Sequence, residues 1–461
     1  MVLSRRFLRV VALGMVFALG LAGIALAVPA VWQGKLGDIT QGNWGDGNCW
    51  NPTGVPGTNI DDTVEIPQGS VVTVADASDI TNPLKEVIFK GDATLTLKDD
   101  TNALTVKKIT VEAGKKAVVN SAAAVDEKFV VADTNSIVEV GEGAVLSLDG
   151  KKVMGINKLQ LPGKGTLVLK TEVTTANDLE ITDGGTLVVD IDNALPALTG
   201  TPTIAKGNLT LNKSMKNTLK IVKIENGKLM VADGVKIGSG LDGEVELKDK
   251  GQLVLSGDLA LKELKTALGS KINIADGKTL TVKPDGAFTL NAEIDKGTLS
   301  LDVAANNTAT LNKNVANIVF NGKSGVAPTL KLEHDVSVGS LDIRGSETEP
   351  STLDLEGNNA IGTLTFVRTT TPLVVSYGNP VTVKKLVPAD GATLNLEGDN
   401  RLTIEDGTPG AKWNVKMGSH QTDLEVRSAG LLSGDVKDAQ RRYPVPASRK
   451  VPESNPGGEV F

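Results

Sequence analysis

The chain has 461 residues, a net charge of -7, only two His and 3% aromatic residues. A net negative balance with Lys and Arg dispersed among Asp and Glu excludes a nucleic-acid footprint. The single cysteine, Cys49, excludes an internal disulfide framework, so stability must come from aliphatic burial and backbone hydrogen bonding.

At the N-terminus, Arg5, Arg6 and Arg9 precede an uninterrupted apolar run from Val10 to Ala27. This pattern predicts a signal peptide over residues 1–27, with small-residue cleavage sequences at Ala25-Leu26-Ala27 and Val28-Pro29-Ala30. A retained membrane anchor is the competing reading, because the run approaches bilayer-spanning length. The cleavage sequences favour removal, leaving no stable transmembrane segment. Ile24 stands where a lipidated cysteine would follow Leu21-Ala22-Gly23, and Arg5-Arg6 lacks the spacer of a twin-arginine leader. The expected route is therefore general secretion, and the expected location is the cell surface or the extracellular space, with the periplasm as an alternative.

The segment from Val31 to Val74 holds Trp32, Trp44, Trp50, three prolines and the only cysteine, and differs sharply from the rest of the chain. From Gly91 onward one motif recurs, a glycine followed by alternating aliphatic and polar residues: GDATLTL from Gly91, GAVLSL from Gly143, GTLVLK from Gly165, GTLVVD from Gly185, GNLTLN from Gly207, GKLMVA from Gly227 and GATLNLEG from Gly391. Period-two alternation rich in Val, Leu, Ile and Thr reads as short strands with one buried face. Asp-Gly and Asn-Gly pairs, such as Asp183-Gly184 and Asn226-Gly227, supply the turns between them, where glycine tolerates positive φ. Only Leu259–Leu268 carries spacing compatible with a helical turn or two.

Gly165, Gly185, Gly207 and Gly227 are spaced by 20, 22 and 20 residues, whereas other steps are nearer 8 to 10. Units this small cannot bury a face alone and are stable only when stacked. The predicted fold is all-β, a right-handed parallel β-solenoid, in which stacked equivalent positions want uniform aliphatic residues. A solenoid end exposes strand edges that recruit other chains, so a cap is required. The expected organisation is a leader over 1–27, a cap and first coil over 28–75, the solenoid over 76–432, and a disordered tail over 433–461, in which Pro444, Pro446, Pro452 and Pro456 break any strand.

The run Trp32, Gly42-Asn43-Trp44, Asn48-Cys49-Trp50, Gly54-Val55-Pro56, Asp62-Thr63-Val64-Glu65-Ile66-Pro67 and Val71-Val72-Thr73-Val74 resembles the opening of many bacterial β-helix surface proteins, autotransporter passengers among them. The resemblance implies surface display and a β-helix. Cys49 is an insertion relative to that opening, and no C-terminal membrane barrel of alternating ten-residue strands is present in the sequence.

β-Helix lyases and glycosidases acting on polysaccharides are the rival class, and their chemistry needs convergent carboxylates with Lys or Arg. The candidates are Asp61-Asp62, Asp99-Asp100 and Asp190-Ile191-Asp192, the last placing two carboxylates on one strand face; each also reads as a solvated turn or edge pair. His334 and His420 lack companion ligands in the sequence, so no metal site, no cofactor and no catalytic residue is assigned. Trp32, Trp44 and Trp50 are either the packed core of the cap or a platform for glycan contact. The expected function is a non-catalytic structural or adhesive β-solenoid whose partners are a cell-surface glycan, a protein or envelope components.

Overall fold

The computed structural model describes residues 29–437, apart from 35–40, 59–61, 75–79, 81, 98–103, 122–128, 132–136, 151–153, 157, 171–172, 176–177, 193–202, 216–220, 239–242, 305, 324, 369, 409–412, 418–422 and 427–435. The expected leader and residues 438–461 lie outside the described residues. The described chain is all-β, with one short 3-10 turn at Gly47–Cys49. Its strands stack in parallel into a β-solenoid.

Each coil has three faces, visited in fixed order. In one coil Lys108–Val111 lies on the first face, Lys116–Ser121 on the second and Phe129–Val131 on the third. The next coil re-enters the first face at Ile137–Val140. The second face is a continuous parallel ladder from Gln41–Asn43 to Asp423–Val426. From Glu293–Val303 onward, the second and third faces are carried by one bent strand, whose Ile294 pairs with Ile272 and whose Leu299 pairs with Leu280.

The alternation read from the motif is the alternation of burial. Leu167, Leu187, Leu209 and Leu229 stand in register on successive coils and are all 0% exposed, while Thr166, Thr186, Asn208 and Lys228 beside them face outward. The column continues through Leu253, Ile272, Ile294 and Val315. The two spacings of the repeat now separate. Steps of 20 to 22 residues join equivalent strands of neighbouring coils, whereas a short step such as Gly243 to Gly251 joins two faces of one coil, Glu244–Lys248 and Gln252–Leu255.

The motif glycines do a different task from the one the turn chemistry suggests. At Asn226-Gly227 it is Asn226 that takes positive φ, at 56°. Gly227 instead lets two coils approach, since a Cβ there would sit 2.6 Å from the Gly207 carbonyl oxygen and 2.7 Å from Ile204 Cγ2. Gly207 is equally tight, with Ile181 Cγ2 at 2.4 Å from its would-be Cβ. At Asp183-Gly184 the expected role holds, because both residues have positive φ.

Leu259–Leu268 is not helical. It forms two strands, Leu259–Leu261 on the third face and Glu263–Thr266 on the first. Leu259, Leu261, Leu264 and Thr266 are buried, and the corner at Lys262 converts a period of two into one step of three that imitates a helical stripe.

At the N-terminal end, Ala30–Trp32 pairs in parallel with Thr63–Ile66 and, on its outer edge, antiparallel with Trp50–Asn51. This is the only antiparallel ladder among the described residues, and it covers the edge that the first face would otherwise present. Trp50 packs edge-to-face on Trp32 at 4.9 Å and on Trp44 at 4.8 Å between ring centroids. Its indole donates to the Trp44 carbonyl at 2.9 Å, and the Trp44 indole donates to the Pro56 carbonyl at 3.1 Å. Cys49 is buried beside them and is not part of a disulfide. At the other end, Val436–Lys437, within the stretch expected as tail, still pairs with Asn414–Met417 on the first face.

Candidate functional site

Between Glu263–Thr266 and Phe288–Leu290 the first-face ladder is interrupted. The sheet that starts in the cap ends at Glu263–Thr266, and a new one begins one coil later at Phe288–Leu290 and runs on to Val436–Lys437. The intervening chain is Lys283-Pro284-Asp285-Gly286-Ala287, in which the buried Pro284 has no N–H to donate to a ladder. Side chains bridge the gap at one end. Asn291 N and Nδ2 donate to Thr266 Oγ1 and to its carbonyl, both at 2.7 Å, and Asn312 Nδ2 continues the stack onto Asn291 Oδ1 at 2.6 Å. At the other end Lys262 Nζ lies 3.2 Å from Asp285.

The gap is an open cleft of about 480 Å³ lined by Lys262, Glu263, Lys265, Asp285, Thr289 and Asn291 over a floor of Leu264 and Phe288. A second hollow of about 390 Å³, lined by Thr203, Lys223, Glu244 and Glu246, shares Glu263 and Lys265 with it, so the two form one groove along the first face. Charges here are compensated in pairs. The Asp285 carboxylate raises the Lys262 ammonium above its ordinary value, and Glu263, 3.1 Å from Lys265, does the same to that lysine. Neither His nor Cys lines the cleft. It is wet, charged and rich in hydrogen-bonding groups, suited to an extended polar ligand.

Further along the same face, Lys331 Nζ is 3.1 Å from Glu333 and 2.8 Å from Glu356, and Asp354 stands in register beside Lys331. Burial, then the Glu356 charge, pushes the Asp354 carboxyl up, whereas the hydrogen bond from Lys331 holds Glu356 below its ordinary value. The His334 imidazole nitrogen meets the Glu356 carbonyl. Lys331, Glu333, His334 and Asp335 already stand together in one segment of the sequence, and stacking adds Asp354 and Glu356 from the next coil. The signal lay in Leu-Lys-Leu-Glu-His from Leu330 and Leu-Asp-Leu-Glu-Gly from Leu353, which align in register. Among the described residues, no group of three or more His, Cys, Asp or Glu is placed to hold a metal ion.

The raised carboxyl has a definite consequence for stability. An ionised Asp354 is less comfortable folded than unfolded, so its contribution is most favourable at low pH and weakens as pH rises through the window from the ordinary aspartate range to its raised value. Asp354→Asn should therefore raise the neutral-pH melting temperature and flatten the loss of stability over that window. Thermal melts at stepped pH, with a lower neutral melting point in the variant as the contrary result, check this.

The other sequence candidates are dispersed. Asp190 and Asp192 lie past the end of Thr186–Val189 rather than on a strand face, because the chain bends there with Ile191 turned toward the core. Asp192 accepts from Ser214 N at 2.7 Å, bracing the next coil. Asp62 accepts from Gly57 N at 2.8 Å in the cap. Asp61, Asp99, Asp100 and His420 lie outside the described residues. Trp32, Trp44 and Trp50 are each within 1% of complete burial, so as packed none offers a ring face to a saccharide. Among the described residues, no helix is long and apolar enough to cross a membrane. Comparison with protein-family models, with curated proteins and with solved structures returns no match.

Proposed function

We propose that this chain is an exported, non-catalytic β-solenoid that acts as a structural or adhesive rod at the cell envelope or outside the cell, in the manner of the autotransporter-like surface proteins its opening resembles. The observation that carries the reading is the continuity of the second face, one ladder from Gln41–Asn43 to Asp423–Val426 with aliphatic residues inward. Such a column spreads contact over a long surface instead of converging groups on one bond. Its partners are a cell-surface glycan, a protein or envelope components, met by the charged groove of the first face.

A second reading, a polysaccharide lyase or glycoside hydrolase, is favoured by one feature, the cleft that brings Lys262, Glu263, Lys265 and Asp285 to one opening. One experiment separates the two. The purified protein is incubated with acidic and neutral glycans, and both binding and release of new chain ends are recorded. Binding without turnover is expected. Turnover lost in Glu263→Gln or Lys262→Ala would replace the rod by the enzyme.

A further inference from the structure

The interruption of the first face leaves main-chain groups, as well as side chains, at the cleft. In the ladder with Glu244–Lys248, Ala267 N donates to the Leu247 carbonyl at 2.8 Å, and by the two-residue period of a strand the amides of Glu263 and Lys265 face the same way. The N–H and C=O of Leu264 and the N–H of Thr266 therefore point to the opposite edge, where no ladder takes them among the described residues. Across the cleft, the pairing of Phe288–Leu290 with Thr308–Leu311 turns the Thr289 N–H toward them. Donors and acceptors at two-residue spacing are what a sheet edge offers to an extended chain.

The cleft matches a short strand in size. One strand residue fills about 4.8 Å by 10 Å by 3.3 Å, roughly 160 Å³, so a cleft of about 480 Å³ holds about three. Strands of three residues complete a face elsewhere, as Leu259–Leu261 and Phe288–Leu290 do. Charge sets the pattern of the occupant. Glu263 stands in register on Glu244, two like charges, and Lys265 ends the run Lys223, Glu246, Lys265. The next chain in register is therefore favoured by a cation beside Glu263 and a carboxylate beside Lys265, with an aliphatic residue between them over Leu264 and Phe288. The molecule uses this triplet on its own first face, at Lys223-Ile224-Glu225 and Lys331-Leu332-Glu333. The Lys262 and Asp285 side chains that meet at the mouth are solvent-exposed and part at little cost. A saccharide fits less well, since the one aromatic ring lining the cleft, Phe288, is 3% exposed and presents no face for stacking.

We propose that the free edge of Glu263–Thr266 binds an extended peptide segment of a protein partner as an added parallel strand, with a basic, an aliphatic and an acidic residue in succession. Hydrogen bonds to Leu264 and Thr266 supply the attachment, and Glu263 and Lys265 select the sequence. The assignment rests on the first-face groove being where the rod meets its partners, and it narrows those partners to protein.

Fluorescence anisotropy with a labelled, end-capped peptide Ser-Val-Lys-Val-Glu-Val-Ser should show saturable binding. N-methylating its glutamate removes the N–H that the Leu264 carbonyl accepts and should weaken binding about 10-fold, whereas N-methylating its first serine should not. Glu263→Lys with Lys265→Glu exchanges two exposed charges and should weaken binding about 10-fold, with the peptide Ser-Val-Glu-Val-Lys-Val-Ser recovering it. Hydrogen exchange at the Leu264 and Thr266 amides should slow when the first peptide is bound. Absence of binding at millimolar peptide, or equal affinity for the glutamate-methylated peptide, would overturn the proposal. Glycan binding in place of peptide binding would overturn it too, while leaving the rod itself intact as a reading of the chain.

Discussion

Replacing Leu187 by Asp should destabilise the protein by about 4 kcal/mol or more, among the largest effects any single substitution here produces. Leu187 is 0% exposed and stands between Leu167 and Leu209, so its side chain sits inside an aliphatic column. Losing the leucine forfeits about 2 kcal/mol of transfer free energy, and the carboxylate must then either remain charged without a partner or take up a proton. Both routes add to the loss. Thr186→Asp, one residue away with its side chain facing outward, should change stability by about 1 kcal/mol or less. Because each coil rests only on its neighbours, the lesion should also divide the melt. Coils before Leu187 should unfold at a lower temperature than the long stretch behind it, and denaturant titration followed by circular dichroism should resolve two steps. A single transition at the wild-type midpoint would show that the column is not the source of stability.

The in-out pattern of this fold was legible because it is local. Whether Leu187 points inward is decided by Thr186 and Val188 on either side, and the same holds at Leu167 or Leu209. The trimming of the turns was less legible, because Gly207 and Gly227 answer to a carbonyl or a side chain one coil away rather than to their own dihedrals. The cleft was illegible for a related reason. Glu263–Thr266 alternates like the other strands; its outer edge carries no ladder because the next chain there is Lys283-Pro284-Asp285-Gly286-Ala287, in which Pro284 has no N–H to donate. The Lys331, Asp354 and Glu356 cluster needed only the correct register, which the loose period concealed. The three tryptophans announced a distinct N-terminal unit, but their burial rests on an antiparallel pairing, Trp32 with Trp50, across a stretch rich in glycine and turns.

Trp50→Ala should make the protein aggregate. Trp50 supplies the edge-to-face contacts with both Trp32 and Trp44, and its indole hydrogen-bonds the Trp44 carbonyl. Truncation therefore removes about 3–5 kcal/mol of packing from the N-terminal end of the solenoid. The antiparallel strand Trp50–Asn51 has only two residues and, among the described residues, no other ladder partner, so it cannot hold its place without that cluster. Its release uncovers Ala30–Trp32, a parallel edge whose backbone groups then face solvent and accept strands from other chains. Deleting Val31–Val74 should have the same outcome in stronger form, because it exposes the first and second faces of the following coil together. Light scattering after mild heating should rise in the order wild type, Trp50→Ala, deletion, while the coils beyond Glu86 keep their strand signature by circular dichroism. If the deletion variant remained monodisperse under those conditions, the N-terminal unit would not be the cap of this solenoid, and the protection of its edge would have to come from elsewhere in the chain.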